Sequence, residues 1–150
     1  MRARTSVIAS LTLIAFASVA SAQQVTGTWV VTYDSDIRRD GEKITVNSRA
    51  TGTMTLEQKG DSVFGSFKGD GGPNAAGRPL SGTLKGKTLM LTTGMRRSTV
   101  NINGKPTEMD TRTDWMGVVE PTGIRGTMFV QMGERPAPPR KWEAVAESKR

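Results

Sequence analysis

The sequence contains no cysteine and no histidine, and it is poor in aromatic residues, with three tryptophans, one tyrosine and four phenylalanines among 150 residues. Without cysteine the chain has no disulfide framework and no thiolate metal site. Without histidine it lacks the usual acid–base group at neutral pH and the commonest ligand of zinc. These absences exclude most hydrolase and metalloenzyme schemes, so we predict a non-catalytic protein that carries no metal and no cofactor.

The first 22 residues have the pattern of a secretory signal peptide. Arg2 and Arg4 precede an apolar stretch at 7–19, and the small residues Ala20-Ser21-Ala22 form a cleavage site. The stretch is shorter than the roughly 20 apolar residues that span a bilayer core, and no cysteine follows it for lipid attachment. We expect cleavage after Ala22, no membrane span, and a periplasmic or secreted mature protein.

Basic residues outnumber acidic ones by 21 to 14, but they are spread along the chain. They form separate pairs beside predicted turns, such as Arg38-Arg39, Arg96-Arg97 and Arg140-Lys141. Nucleic-acid-binding domains instead gather their positive charge on one face or helix. We therefore expect no nucleic-acid partner, while attraction to an anionic membrane surface or to cell-wall polymer is the alternative. The sequence carries no signal for an oligomeric state.

Short segments rich in Val, Thr, Leu, Phe and Trp recur between Gly, Pro, Asp and Asn, without helical periodicity. This pattern is typical of an all-β protein, and residues 23–150 have a length that suits one domain. The predicted strands cover residues 27–38, 42–48, 51–58, 62–68, 79–85, 88–101, 105–119, 124–131 and 141–147.

Tight-turn residues separate most of these strands. Asp40-Gly41, Lys59-Gly60 and Asn103-Gly104 supply the positive φ angles that hairpin turns require. Consecutive strands are therefore expected to be antiparallel neighbours. Two longer loops, at 69–78 and 132–140, have no regular pattern, and we expect them at the mouth of a barrel, where recognition residues often lie.

A Gly-Thr pair followed by a large apolar residue recurs at Gly27, Gly52, Gly82 and Gly126. Glycine inside a strand marks a bend, a bulge or a close backbone approach, and a small coiled barrel needs such points to close. Closure also removes exposed sheet edges. We therefore predict a single antiparallel up-and-down barrel of about eight strands, whose interior holds side chains or one small ligand.

Several short phrases resemble the calycin superfamily, which comprises the lipocalin-like and avidin-like barrels. They are GTW at 27–29, VFGSFKG at 63–69, PLSGTLKG at 79–86, TDWMG at 113–117 and RKWEA at 140–144. The lipocalin pattern implies that Arg140 or Lys141 covers the indole of Trp29. The avidin-like pattern matches Thr-x-Trp-x-Gly at 113–117 and the last tryptophan strand at Trp142.

The polar biotin ligands of the avidin-like family mostly have no counterpart in this chain. Val31 stands in place of an asparagine, Phe67 of a tyrosine, Gly69 of a serine and Arg150 of an aspartate, while Ser35 alone keeps its type. A site that lacks these partners does not hold a buried ureido group tightly, because unpaired polar groups are costly. The resemblance therefore implies a barrel with aromatic residues near one mouth, without biotin binding.

Two carboxylate pairs, Asp34 with Asp36 and Asp110 with Asp114, form the catalytic alternative. Each pair is spaced so that both members share one face of a strand. Glycosidases use two carboxylates across a cleft, whereas acids that are adjacent on one polar face are usually solvated. An enzyme of this kind needs two facing carboxylates, at least one with a raised pKa.

Methionine is frequent, and all eight methionines except Met1 follow the leader. We expect them mainly to fill irregular core space. The alternatives are an adaptable apolar cavity and a thioether Cu(I) site. The residues concerned are Met54, Met90, Met95, Met109, Met116, Met128 and Met132.

These observations predict an interior that binds a small apolar or amphipathic molecule without chemistry. The candidate ligand-binding residues are large apolar side chains on the expected inner face, together with the positions that the avidin comparison singles out. They are Trp29, Val31, Tyr33, Leu56, Phe67, Leu89, Trp115 and Met128. The alternative is an interaction or inhibitor module for another envelope protein, whose barrel interior is solid.

Overall fold

The computed structural model describes residues 23–70 and 76–148. The predicted signal peptide at 1–22, part of the predicted loop at 69–78, and Arg150 lie outside the described residues. Every regular element in the described part of the chain is a β-strand. Within it, no helix has the length and apolarity that crossing a membrane would require.

Ten strands form one antiparallel sheet that closes on itself. Eight of them make the barrel in the order β1-β2-β3-β4-β5-β7-β8-β10, with β10 returning to β1, while β6 pairs with β7 and β9 with β8. The predicted all-β up-and-down barrel is therefore confirmed, and it is consistent with a calycin-like barrel. The strands are β1 (Gly27–Asp40), β2 (Lys43–Lys59), β3 (Ser62–Gly69), β4 (Arg78–Lys85), β5 (Thr88–Thr92), β6 (Arg96–Ile102), β7 (Lys105–Glu120), β8 (Gly123–Met132), β9 (Arg135–Pro136) and β10 (Arg140–Ala146).

The connections divide the barrel into two different ends. The short β2–β3, β4–β5 and β7–β8 turns lie at one end, together with both ends of the described chain; we call this the closed end. The opposite, open end carries the β1–β2 and β6–β7 hairpins and the longer β3–β4 and β8–β10 connections. Both loops that the sequence places at a mouth thus belong to the same end.

Two strand boundaries differ from the sequence prediction, and the predicted irregular loop at 132–140 contains the short strand β9, which pairs with β8. The predicted break at residues 49–50 is wrong, because β2 runs through both residues and stays paired with β1. The register shifts nearby, where Asn47 and Ser48 hydrogen-bond through their side chains to Asp36 and Ser35 on the neighbouring strand. The predicted strand at 88–101 is interrupted at Gly94, whose φ of 65° ends the extended conformation.

Close contact between neighbouring strands explains two glycines of the Gly-Thr pattern. A Cβ on Gly82 would lie 1.8 Å from the carbonyl oxygen of Met90, and one on Gly126 would lie 1.7 Å from that of Met116. Any side chain would therefore push the strands apart at these points. This agrees with the expectation that glycine permits the tight coiling of a small barrel.

Apolar side chains fill the closed end. Val25 is fully buried there, its backbone N–H donates to Gln58 Oε1 at 3.1 Å, and its carbonyl accepts the indole N–H of Trp29 at 2.9 Å. Ile124 is also fully buried in the same core. The closed end, as far as the structure describes it, is therefore part of the packed apolar core.

Candidate functional site

Four aromatic rings pack against one another in the middle of the barrel. The centroid of Phe67 lies 5.7 Å from that of Tyr33 and 4.9 Å from that of Trp115. Trp115 and Trp142 meet at 5.3 Å with an interplanar angle of 89°. The Tyr33–Phe67 and Trp115–Trp142 pairs are edge to face, a favourable geometry for aromatic rings, and the cluster forms a packed floor across the barrel.

The Thr-x-Trp-x-Gly phrase has a structural role in this floor. A Cβ on Gly117 would lie 2.8 Å from the six-membered ring of Trp142, so only glycine leaves room for that indole. The indole N–H of Trp142 then donates to the carbonyl of Met116 at 3.1 Å. Met116 and Gly117 of this segment therefore position the Trp142 indole against β7.

Above this floor, a cavity of about 360 Å³ opens at the open end. Its base carries aromatic and thioether side chains, its wall carries hydroxyl and aliphatic groups, and two arginines also line it. Strand β6 extends the wall beyond the rim of the barrel. The lining residues are Tyr33, Phe67, Arg78, Thr93, Ser98, Thr99, Val100, Asn101, Thr111, Thr113, Trp115, Met128, Val130, Met132 and Arg140.

The structure divides the eight predicted ligand-binding residues into two groups. Tyr33, Phe67, Trp115 and Met128 line the cavity. The remaining four are buried in the packed core and do not border it, because apolar side chains fill the closed end; they are Trp29, Val31, Leu56 and Leu89. The cavity therefore brings together four of the eight predicted residues and does not include the other four.

The two arginines of the cavity were not among the predicted ligand-binding residues. Arg78 is the Cα partner of inward-facing Phe67, and Arg140 lies two residues before buried Trp142. Alternation along each strand places both on the inner face, which was the available signal. Their charge and their position next to loops made them resemble solvated turn residues.

Arg140 is tied to strand β1 through only part of its guanidinium group. Its Nη1 donates to the carbonyl of Ser35 at 3.0 Å, and the next residue, Lys141, donates its backbone N–H to the buried carboxylate of Asp34 at 3.0 Å. The Nε of Arg140 is buried and has no hydrogen-bond partner among the described residues. The indole Nε1 of Trp115 is in the same condition.

Positive charge in the cavity is uncompensated by its lining. Partial burial, and then the charge of nearby Arg96, lower the pKa of the Arg78 guanidinium from its ordinary value. No aspartate or glutamate occurs among the described residues that line the cavity. The cavity therefore combines positive charge on its wall with an apolar floor.

The carboxylate pairs identified in the sequence do not face one another across a cleft. Asp34 pairs with Arg49 and Asp110 with Arg97, while Asp36 accepts a hydrogen bond from Asn47. Asp114 is bound by Arg112, with the guanidinium Nη2 2.6 Å from the carboxylate. Partial burial alone would raise the pKa of Asp114, but hydrogen bonds from Arg112 and Thr92 and the charge of Arg112 hold it below its ordinary value.

The methionines are distributed differently from the expectation of a methionine-filled core. Met54 and Met128 are buried, and Met109 is half-buried. The other four are exposed: Met90, Met95, Met116 and Met132. Among the described residues, no cluster of three or more carboxylate, imidazole or thiolate side chains is placed to hold a metal ion.

The lipocalin-like expectation for Arg140 and Lys141 is wrong. The Cα partner of Trp29 on β10 is Ala146, whereas Arg140 and Lys141 lie beyond the opposite end of the β1–β10 pairing, beside Asp34 and Ser35. No basic residue at those positions therefore covers the Trp29 indole.

In comparisons of the chain with protein-family profiles, curated protein sequences and solved structures, nothing matches.

Proposed function

We propose that this chain is an exported, non-catalytic binding protein that holds one small apolar or amphipathic molecule at the open end of its barrel. The observation that carries the proposal is the cavity of about 360 Å³ above the aromatic floor. Its size falls within the roughly 300–1,000 Å³ typical of ligand sites, which are mostly apolar with a few polar groups. Export rests on the signal-peptide pattern of residues 1–22.

The chemistry of the lining supports binding rather than turnover. The chain has no histidine or cysteine, and the described lining has no carboxylate that would serve as a general base or nucleophile. Two of its hydroxyl groups, those of Ser98 and Thr111, are hydrogen-bonded to each other at 2.8 Å. The wall therefore offers hydroxyl groups that would orient a bound ligand through hydrogen bonds.

A second candidate is an interaction module that uses the outside of the barrel. Met90 and Met116 are Cα partners on neighbouring strands, both are exposed, and with Phe129 they line an outer groove of about 330 Å³. Exposed apolar patches of this kind mark binding surfaces for other proteins. This candidate requires a filled interior, so the space above the aromatic floor favours the first proposal.

A titration with the neutral fluorescent probe N-phenyl-1-naphthylamine distinguishes the two sites. Val130 lines the cavity, and its neighbour Phe129 is exposed on the outer face. Val130→Trp fills the cavity and is expected to weaken probe binding at least about tenfold, because a group bulky enough to occupy the site excludes the ligand. The matched control Phe129→Trp adds the same ring outside and should bind like wild type. Equal loss in both variants, or in Phe129→Trp alone, would overturn the proposal.

A further inference from the structure

We infer that the cavity selects an organic anion, an apolar molecule whose charged oxygens accept hydrogen bonds from Arg78, Arg140 and the indole N–H of Trp115. This inference rests on the proposed function and adds the chemical class of the ligand. An unpaired buried N–H is uncommon in folded proteins and calls for an explanation. Here two such donors belong to residues that line one cavity.

The two unpartnered donors lie at the same level of the barrel. Trp115 on β7 is the Cα partner of Met128 on β8, and Met128 is in turn the partner of Arg140 on β10. All three side chains line the cavity. Both donor nitrogens are shielded from solvent by their neighbours, so a head group bound at this level would reach them after a small shift of the lining side chains.

The two arginines of the cavity combine partial burial with the lack of a carboxylate partner in the described part of the chain. Four outer arginines lie within 4.0 Å of a carboxylate, namely Arg49, Arg97, Arg112 and Arg125. The outer residues Arg38, Arg39 and Arg96 have no such partner among the described residues, but they are exposed to water. Neither Arg78 nor Arg140 forms an ion pair with any residue in the described ranges. Guanidinium groups bind carboxylates and related oxyanions strongly, because the hydrogen bonds are charge-assisted. The missing counter-charge is what an anionic ligand supplies.

The nearest buried carboxylate does not fill this role. One oxygen of Asp34 accepts the backbone N–H of Lys141 at 3.0 Å, and the other faces Arg49 at 3.5 Å. Arg140 reaches this segment only through backbone carbonyls. In addition, burial and the neighbouring charge of Arg96 lower the pKa of Arg78. A bound anion would raise this pKa again, because an opposite charge stabilises the protonated guanidinium.

A pair of matched probes tests the inference. N-phenyl-1-naphthylamine is neutral, and 8-anilino-1-naphthalenesulfonate has the same ring system with one added sulfonate. Both are titrated into the exported protein, and the readout is the ratio of their dissociation constants. We expect the sulfonate to bind at least about tenfold more tightly, since hydrogen bonds to a charged group contribute enough for that factor. Dodecanoate should likewise displace the neutral probe better than dodecan-1-ol does, which extends the test to a carboxylate.

Three variants locate the effect within the cavity. Arg78→Gln should lower the ratio about tenfold, by the loss of one charge-assisted contact. Trp115→Phe keeps an aromatic ring but removes the donor, so it should lower the ratio as well. The control Arg97→Gln removes the same charge from the outer face at the open end and should leave the ratio within about twofold, as expected for a screened surface charge.

The outcomes separate the two proposals. Tighter sulfonate binding that depends on Arg78 and Trp115 but not on Arg97 supports the inference. Equal affinities for the two probes, or a ratio that Arg78→Gln does not change, would overturn the anion preference and leave the apolar cavity standing. Failure of both probes to bind would overturn the proposed function and the inference with it.

Discussion

Trp115 and Trp142 meet edge to face with their ring centroids 5.3 Å apart, yet only one of the two indoles has a hydrogen-bond acceptor. Trp142 donates to the carbonyl of Met116, whereas the N–H of Trp115 is buried without a partner. The two rings thus differ in role: the indole of Trp142 is hydrogen-bonded to β7, and Trp115 borders the cavity with a buried N–H that has no acceptor among the described residues.

Gly117→Ala tests the seating of this ring pair. The added methyl group would lie 2.8 Å from the Trp142 ring, and overpacking of this kind typically costs about 1–3 kcal/mol. Urea unfolding should therefore show a loss in that range. Val118→Ala, on the exposed neighbour, should change the free energy of unfolding by less than about 0.5 kcal/mol. A Gly117→Ala variant as stable as wild type would contradict the packing described.

Asp34→Ala tests the anchor that fixes the start of β10. The buried carboxylate accepts the backbone N–H of Lys141, and an unsatisfied buried donor costs about 1–3 kcal/mol. Thermal or urea unfolding measures the loss. The matched change Asp36→Ala removes an exposed carboxylate two residues away and should have little effect. Equal destabilisation by both changes would contradict the anchoring role of Asp34.

The pair between Asp114 and Arg112 predicts a weak pH dependence of stability. The folded pKa of Asp114 lies below its ordinary value of 3.8, so the contribution is complete above the unfolded pKa and is lost as pH falls through the folded pKa. At neutral pH, Asp114→Asn should lower the Tm by no more than about 4 °C, as expected for an exposed pair. The difference from wild type should shrink below pH 3.8. A difference that grows on acidification would contradict this assignment.

Cleavage of the leader is tested by expression of the full chain in a bacterial host. The mature protein should begin at Gln23, because the small residues that end at Ala22 form the cleavage site. Intact mass measurement of the periplasmic fraction gives the N-terminus directly. Substitution of Ala22 by a bulky residue should block or shift cleavage. Full-length protein that remains in the cytoplasm would contradict export.

The fold was predictable because hairpin turns and strand alternation are local signals. The continuity of β2 through residues 49–50 was not, since a polar segment that pairs with a neighbouring strand looks the same in sequence as a turn. For the site, Tyr33 and Trp115 followed from inward alternation. Arg78 and Arg140 did not, because their charge and their position beside loops are typical of solvated residues, and whether a carboxylate pairs with them depends on distant strands.

The most direct measurement of the central claim is a crystal structure of the protein with 12-bromododecanoate, in which anomalous scattering locates the bromine. One peak is expected inside the barrel, in the cavity bordered by Tyr33, Phe67, Trp115 and Met128. A peak on the outer groove beside Met90 and Met116, or no peak at saturating concentration, would contradict it.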